Sequence, residues 1–177
     1  MLHIRLLGSF QLYVNDAYVD AIDGPRQREL LAYLLLNRSA THRRTQVAHV
    51  LWPDSTASQQ RTNLRQLLFT MRKRLPALQD YLINDEQTIR WRSDAAFTLD
   101  VAAFEQALQQ ASASAGPARM AALEAAVARY TGYLLPECYA DGILAARELL
   151  GQRYVAALEE LISLHTERGD MKSAISH

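Results

Sequence analysis

Polar and apolar positions alternate at the start of the chain and then shift to a helical period. His3-Ile4-Arg5-Leu6-Leu7 reads as a strand, Gly8-Ser9 as a turn, and Gln11–Val14 as a second strand. Asn15-Asp16 signals another turn before a third strand over 17–22, which Asp23-Gly24-Pro25 ends. These strands make a small antiparallel meander. From Arg26, Leu30, Leu31, Leu34 and Leu35 form one apolar stripe of a helix that Asn37 and Ser39 close. A shorter helix runs to about Trp52, with Thr41 or Thr45 as its cap, and Pro53-Asp54-Ser55 turns the chain into a third helix over 57–75. Beyond Pro76, Tyr81–Asn84 and Thr88–Arg92 flank the turn Asp85–Gln87 and read as a β-hairpin.

After Asp94 the chain becomes alanine-rich and helical, with helices predicted over 101–112, 117–131 and 143–168 and Gly169 as a C-cap. Ala121-Ala122-Leu123-Glu124 recurs 35 residues on as Ala156-Ala157-Leu158-Glu159, close to the period of about 34 of tetratricopeptide repeats. Met171–Ile175 starts a further helix, which suggests a piece of a longer protein. The fold expected is mainly α with small β. Residues 1–94 make a winged helix-turn-helix (β-meander, three helices, hairpin wing), and residues 95–177 an all-α, tetratricopeptide-like domain.

The 177 residues carry no net charge, but the two halves differ. Residues 1–94 hold 13 basic and 9 acidic side chains, and residues 95–177 hold 6 and 10. Within 24–75, ten basic groups face only Glu29 and Asp54. Such a field suggests a polyanion partner, the alternative being a solvated surface. No apolar run approaches the roughly 20 residues of a membrane span, and the first residues lack a signal peptide's core, so a cytoplasmic chain without a membrane partner is expected. The lone Cys138 excludes an internal disulfide.

The third helix carries the chemistry. On a wheel of about 100° per residue, Leu64, Leu67, Leu68, Met71 and Leu75 share one arc, and Arg61, Arg65 and Arg72 lie within about 40° of each other beside it. Thr62, Phe69 and Lys73 extend this face, and no acidic residue lies between Ser58 and Pro76. A stripe of arginines alone repels itself unless anions lie against it. Arginines here can reach phosphates or guanine edges, while Gln59, Gln60 and Asn63 suit adenine; the sequence leaves open which residues touch bases. Arg43 and Arg44, near the start of the second helix, and Arg90 and Arg92, alternating with Ile89 and an inward Trp91, are expected on the DNA backbone.

Leu30-Leu31-Ala32-Tyr33-Leu34-Leu35-Leu36, Leu51-Trp52-Pro53-Asp54, Arg61-Thr62-Asn63-Leu64-Arg65-Gln66-Leu67-Leu68 and Met71-Arg72-Lys73-Arg74-Leu75 together resemble the Streptomyces antibiotic regulatory protein family. Its N-terminal half is an OmpR-type winged helix. The second half resembles that family's bacterial transcriptional activation domain through Leu99-Asp100 with Phe104, Ala121 and Leu123 with Tyr130-Gly132, and Leu149 through Leu161. The resemblance implies a sequence-specific transcriptional activator that binds double-stranded DNA at direct repeats near a promoter, forms a homodimer there, and contacts RNA polymerase. Arg43-Arg44 stands where the family carries an acidic residue, and Thr88–Trp91 replaces its glycine-tyrosine wing. The alternative is a protein-interaction module of helical repeats whose winged helix does not bind DNA. The five histidines show no ligand spacing, and no phosphate loop or nucleophile motif occurs, so no enzyme, metal or cofactor is expected.

Overall fold

A computed structural model of the chain describes residues 1–92 and 94–167. The cap predicted at Gly169 and the helix opening at Met171 lie outside these residues. Two compact units result. One joins Met1–His3 to Gln11–Phe97, and the other joins Ile4–Phe10 to the chain from Thr98 onward. Strand β1 (Leu2–Arg5) therefore contributes to both.

In the first unit, β2 (Gln11–Val14) and β3 (Ala17–Tyr18) pair antiparallel, with Tyr13 opposite Tyr18 and Val14 opposite Ala17. Asn15 and Asp16 both take positive φ, +48° and +66°, as a two-residue hairpin turn demands and as these side chains tolerate. The third strand stops at Tyr18, short of the expected Ile22. Helix α1 (Pro25–Leu36) opens with Pro25 in the first turn, where its missing N–H is no loss. The Gln27 side chain accepts from the Gly24 amide at 3.4 Å. Leu30, Leu31, Leu34 and Leu35 are all buried, which makes α1 the core against which α2 (Arg44–Leu51) and α3 (Ala57–Arg74) pack.

Before α2 the structure departs from the sequence expectation. Thr41–Arg43 forms a strand, β4, and Arg43 occupies the N-cap of α2 with no side-chain hydrogen bond, so neither Thr41 nor Thr45 caps the helix. The reason is tertiary: the first helical amide, that of Arg44, donates to the Gln87 carbonyl in the hairpin turn at 2.8 Å. At α3 a local cap does form, with the Thr56 hydroxyl accepting from the Gln59 amide at 3.3 Å. The far end of α3 is held by two hydrogen bonds from the Arg74 guanidinium to the Asp23 carboxylate.

A short 3-10 turn (Pro76–Asp80) leads into β5 (Leu82–Asn84) and β6 (Thr88–Trp91). The hairpin thus joins β4 in a three-stranded sheet ordered β4-β6-β5, with β6 at the centre and Ile89 facing both His42 and Asn84. Alternation along β6 buries Ile89 and Trp91, as expected. Trp91 stacks on Tyr81 at 5.9 Å between ring centres and meets Phe97 edge-on at 5.3 Å.

A strand absent from the sequence prediction, β7 (Phe97–Leu99), follows; its Phe97 belongs to the first unit and its Thr98 and Leu99 open the second. Helices α4 (Asp100–Ser112), α5 (Gly116–Arg129) and α6 (Asp141–Glu167) follow, with α5 packed on both α4 and α6. Ala111, Leu123, Ala157 and Leu161 form their buried seam. The 35-residue echo is only partly an echo in packing: Ala126 and Leu161 are both buried, whereas Leu123 is buried and its counterpart Leu158 half-buried. Asp100 ties the N-terminal segment to this unit by accepting from the Leu6 and Leu7 amides, each at 2.8 Å. Burial raises the Asp100 carboxyl pKa, and those amides work against the rise. No helix among the described residues is long and apolar enough to cross a membrane.

Candidate nucleic-acid interface

The start of α2, the first three turns of α3 and the β5–β6 turn converge on an open cleft of about 660 Å³. Arg43, Arg44 and Thr45 line it from the start of α2, Ser58, Arg61, Thr62 and Arg65 from α3, and Glu86, Gln87 and Thr88 from the turn. Four guanidinium-bearing residues thus meet one carboxylate-bearing residue. The N-terminus of α2 adds the positive end of its macrodipole.

Fixed hydrogen bonds shape this cleft. Asp85 accepts from the Gln87 amide at 2.8 Å and from the Thr88 amide and hydroxyl, each at 2.6 Å, which pins the turn and lowers the Asp85 pKa. Arg44 donates to the Asn84 side-chain oxygen and, at 3.3 Å, to the Asp85 carbonyl, so α2 and the turn are clasped together. Its guanidinium pKa is pushed down, first by burial and then by repulsion from Arg72, against the pull of Asp85. Arginine stays charged through such a shift. The repulsion is therefore a standing cost that an anion beside Arg44 and Arg72 would relieve.

The proposed contact residues divide in the structure. Arg43, Arg44, Arg61, Thr62 and Arg65 come together in the cleft, with Arg61, Thr62 and Arg65 exposed on α3. Lys73 is exposed further along the helix, and Arg72 is half-buried with its Nε out of contact with any acceptor among the described residues. Gln59 donates to the Asn63 oxygen at 2.8 Å, so these two side chains form one surface amide pair. Arg90 and Arg92 are half-buried and lie outside the cleft lining; Arg90 sits on the central strand β6 between Thr41 and Ile83.

Gln60 departs from the expected role. It is buried, and its Nε2 donates to the carbonyls of Trp52 at 2.8 Å and Ser55 at 3.0 Å. That amide braces the α2–α3 turn and faces away from solvent. A signal for this existed in the sequence, because Gln60 precedes Leu64, Leu67 and Met71 at spacings of four, seven and eleven, the period of the buried face. The contributions of Thr45, Ser58 and the Glu86–Thr88 turn carry no comparable local signal, since they depend on how distant elements meet. Among the described residues no cluster of histidine, cysteine and carboxylate side chains is suited to a metal ion.

The arrangement described, a three-helix unit with a β-sheet at its edge followed by a helical unit, is a fold shared with a known structure. The chain is similar to Mycobacterium tuberculosis EmbR, solved in complex with a low affinity phosphopeptide, with a TM-score of 0.81 and 21% sequence identity over 99% of this chain. It spans 48% of the EmbR chain, about half its length, and at this identity the likeness is one of fold. No family model and no curated protein matches the sequence.

Proposed function

We propose that the chain is a sequence-specific, double-stranded-DNA-binding transcriptional regulator, and that the first unit is a winged helix-turn-helix whose helix α3 enters the major groove. One observation carries this reading: Arg43, Arg44, Arg61 and Arg65 converge on a single open cleft, and the basic face continues along α3 to Arg72 and Lys73. From Arg61 to Arg72 the helix rises about 16 Å. A track of that length suits a duplex backbone and groove better than a phosphopeptide, the kind of partner with which EmbR was solved. Arg43 and Arg44 then hold phosphates, Arg61 and Arg65 reach base edges, and Gln60 is structural. Arg90 on β6 and Arg92 just beyond it, both half-buried, serve as secondary backbone contacts.

The finer reading rests on the resemblance of the α1, Trp52-Pro53-Asp54 and α3 segments to the Streptomyces antibiotic regulatory proteins. It makes this chain an activator on direct repeats near a promoter, with two copies meeting on DNA and the tetratricopeptide-like second unit contacting RNA polymerase.

The test is to select a binding site from a randomised duplex pool and compare two variants on it. Arg65→Ala should cost about 1–3 kcal/mol on the selected site and little on random DNA, while Arg43→Ala should weaken both alike and flatten the salt slope by about one. Equal losses on both DNAs for Arg65→Ala would remove its base-reading role. Failure of any sequence to enrich, together with partner binding that survives loss of the first unit, would favour an interaction module instead.

A further inference from the structure

Phe69 occupies the middle of the arginine face of α3 and is 67% exposed, more than any other phenylalanine in the chain. Arg65 and Lys73 stand one turn to either side at i−4 and i+4, with Arg72 at i+3 and Thr62 two turns back. On the wheel it lies about 40–60° from Arg65 and Arg72, and on the far side from the buried Leu64, Leu68 and Met71. Its side chain therefore points where the basic residues point. It cannot bond a phosphate or a polar base edge. In the major groove one base presents an apolar group, the 5-methyl of thymine, and phenylalanine is among the side chains that suit it.

We propose that Phe69 is a specificity-determining residue that packs on a thymine 5-methyl group in the major groove. The proposal rests on the reading of α3 as the groove-entering helix and adds to it the identity of one base. Arg65 and Phe69 are separated by a helical rise of about 6 Å. Base pairs stack about 3.4 Å apart, so the thymine falls within about two base pairs of the base that Arg65 reads. Removing one methyl from a buried apolar contact should weaken binding about fourfold.

The experiment begins with salt-dependent binding of the randomised duplex pool, followed by selection of a site. Each thymine in that site is then replaced by deoxyuridine, which deletes the methyl and leaves the hydrogen-bonding edge unchanged. Wild type, Phe69→Ala and Phe69→Leu are compared on each duplex; the side chain is exposed, and circular dichroism checks that all three stay folded. The expected result is one or two thymines whose replacement weakens wild type about fourfold and leaves Phe69→Ala unaffected, with Phe69→Leu keeping part of the sensitivity.

Equal binding of thymine and deoxyuridine sites by wild type overturns the inference and leaves DNA binding standing. Methyl sensitivity that persists undiminished in Phe69→Ala overturns it as well and assigns the contact to a neighbour such as Thr62. A Phe69→Ala defect confined to the binding of a second copy, with no methyl dependence, overturns it in favour of a protein contact. Absence of binding to the random pool at about 20 mM salt overturns the groove-binding reading itself, and the inference with it.

Discussion

Gln60 and Trp52 are joined by a hydrogen bond of 2.8 Å from the buried side-chain amide of one to the backbone carbonyl of the other. With the bond to Ser55, this single amide holds both ends of the turn that sets α3 against α2. Gln60→Ala should therefore destabilise the chain by about 1–3 kcal/mol, since two carbonyls lose their donor. Gln60→Glu should cost more, because a carboxylate would face carbonyl oxygens. Urea denaturation of the three proteins measures both.

The Asp23–Arg74 pair predicts a direction in pH. Arg74 beside Asp23 holds its carboxyl below the ordinary value of 3.8. The folded chain binds that proton more weakly than the unfolded chain, so the pair's contribution is present above pH 3.8 and fades as pH falls through the lower folded value. In an NMR titration Asp23 should titrate below 3.8, and Arg74→Ala should return it to the ordinary range. An unchanged midpoint in the variant would remove the pair from the account of how α3 is anchored.

In the second unit, Arg147 of α6 donates to the carbonyls of Leu134 at 2.7 Å, Leu135, and Cys138 at 2.6 Å. One guanidinium thereby gathers the part of the loop from Leu134 to Cys138 that leads into α6. Arg147→Ala should lower stability by about 1.5–3 kcal/mol. Arg147→Lys should recover only part of that, because an ammonium lacks the planar fork. Thermal unfolding of both variants checks the order.

Two glycines of this unit should respond to alanine with opposite signs. A Cβ on Gly132 would sit 2.9 Å from the Gly8 Cα, a backbone atom, so Gly132→Ala should destabilise by about 1–3 kcal/mol. A Cβ on Gly142, in the first turn of α6, would meet nothing within 4 Å. Gly142→Ala should stabilise by about 0.4–1 kcal/mol by restricting the unfolded chain. Denaturant midpoints measured side by side test the pair.

How much of this was legible in the sequence depends on the range of the interaction concerned. The stripe Leu30, Leu31, Leu34 and Leu35 and the alternation of Ile89 and Trp91 are local patterns, and α1 and β6 appear where those patterns put them. Strand β4 was not legible: Thr41–Arg43 is too short to show a period, and it exists because β6 offers it a partner. The same long-range contact replaces the expected threonine cap of α2 with the Gln87 carbonyl. The arginines of the cleft were legible as a charge excess, but their convergence depends on the clasp between Arg44 and Asn84, which no spacing reveals. Gln60 looks like Gln59 by composition and differs only in the face it occupies.

Binding of fluorescent random duplex DNA, followed by anisotropy from about 20 to 200 mM salt, tests the central claim most directly. Wild type should bind at low salt and lose affinity steeply as salt rises, and replacing Arg61, Arg65 and Arg72 together by alanine should abolish the binding while leaving the fold intact by circular dichroism. Salt-independent binding, or equal binding by the triple variant, would contradict the assignment of α3 as the DNA-contacting helix.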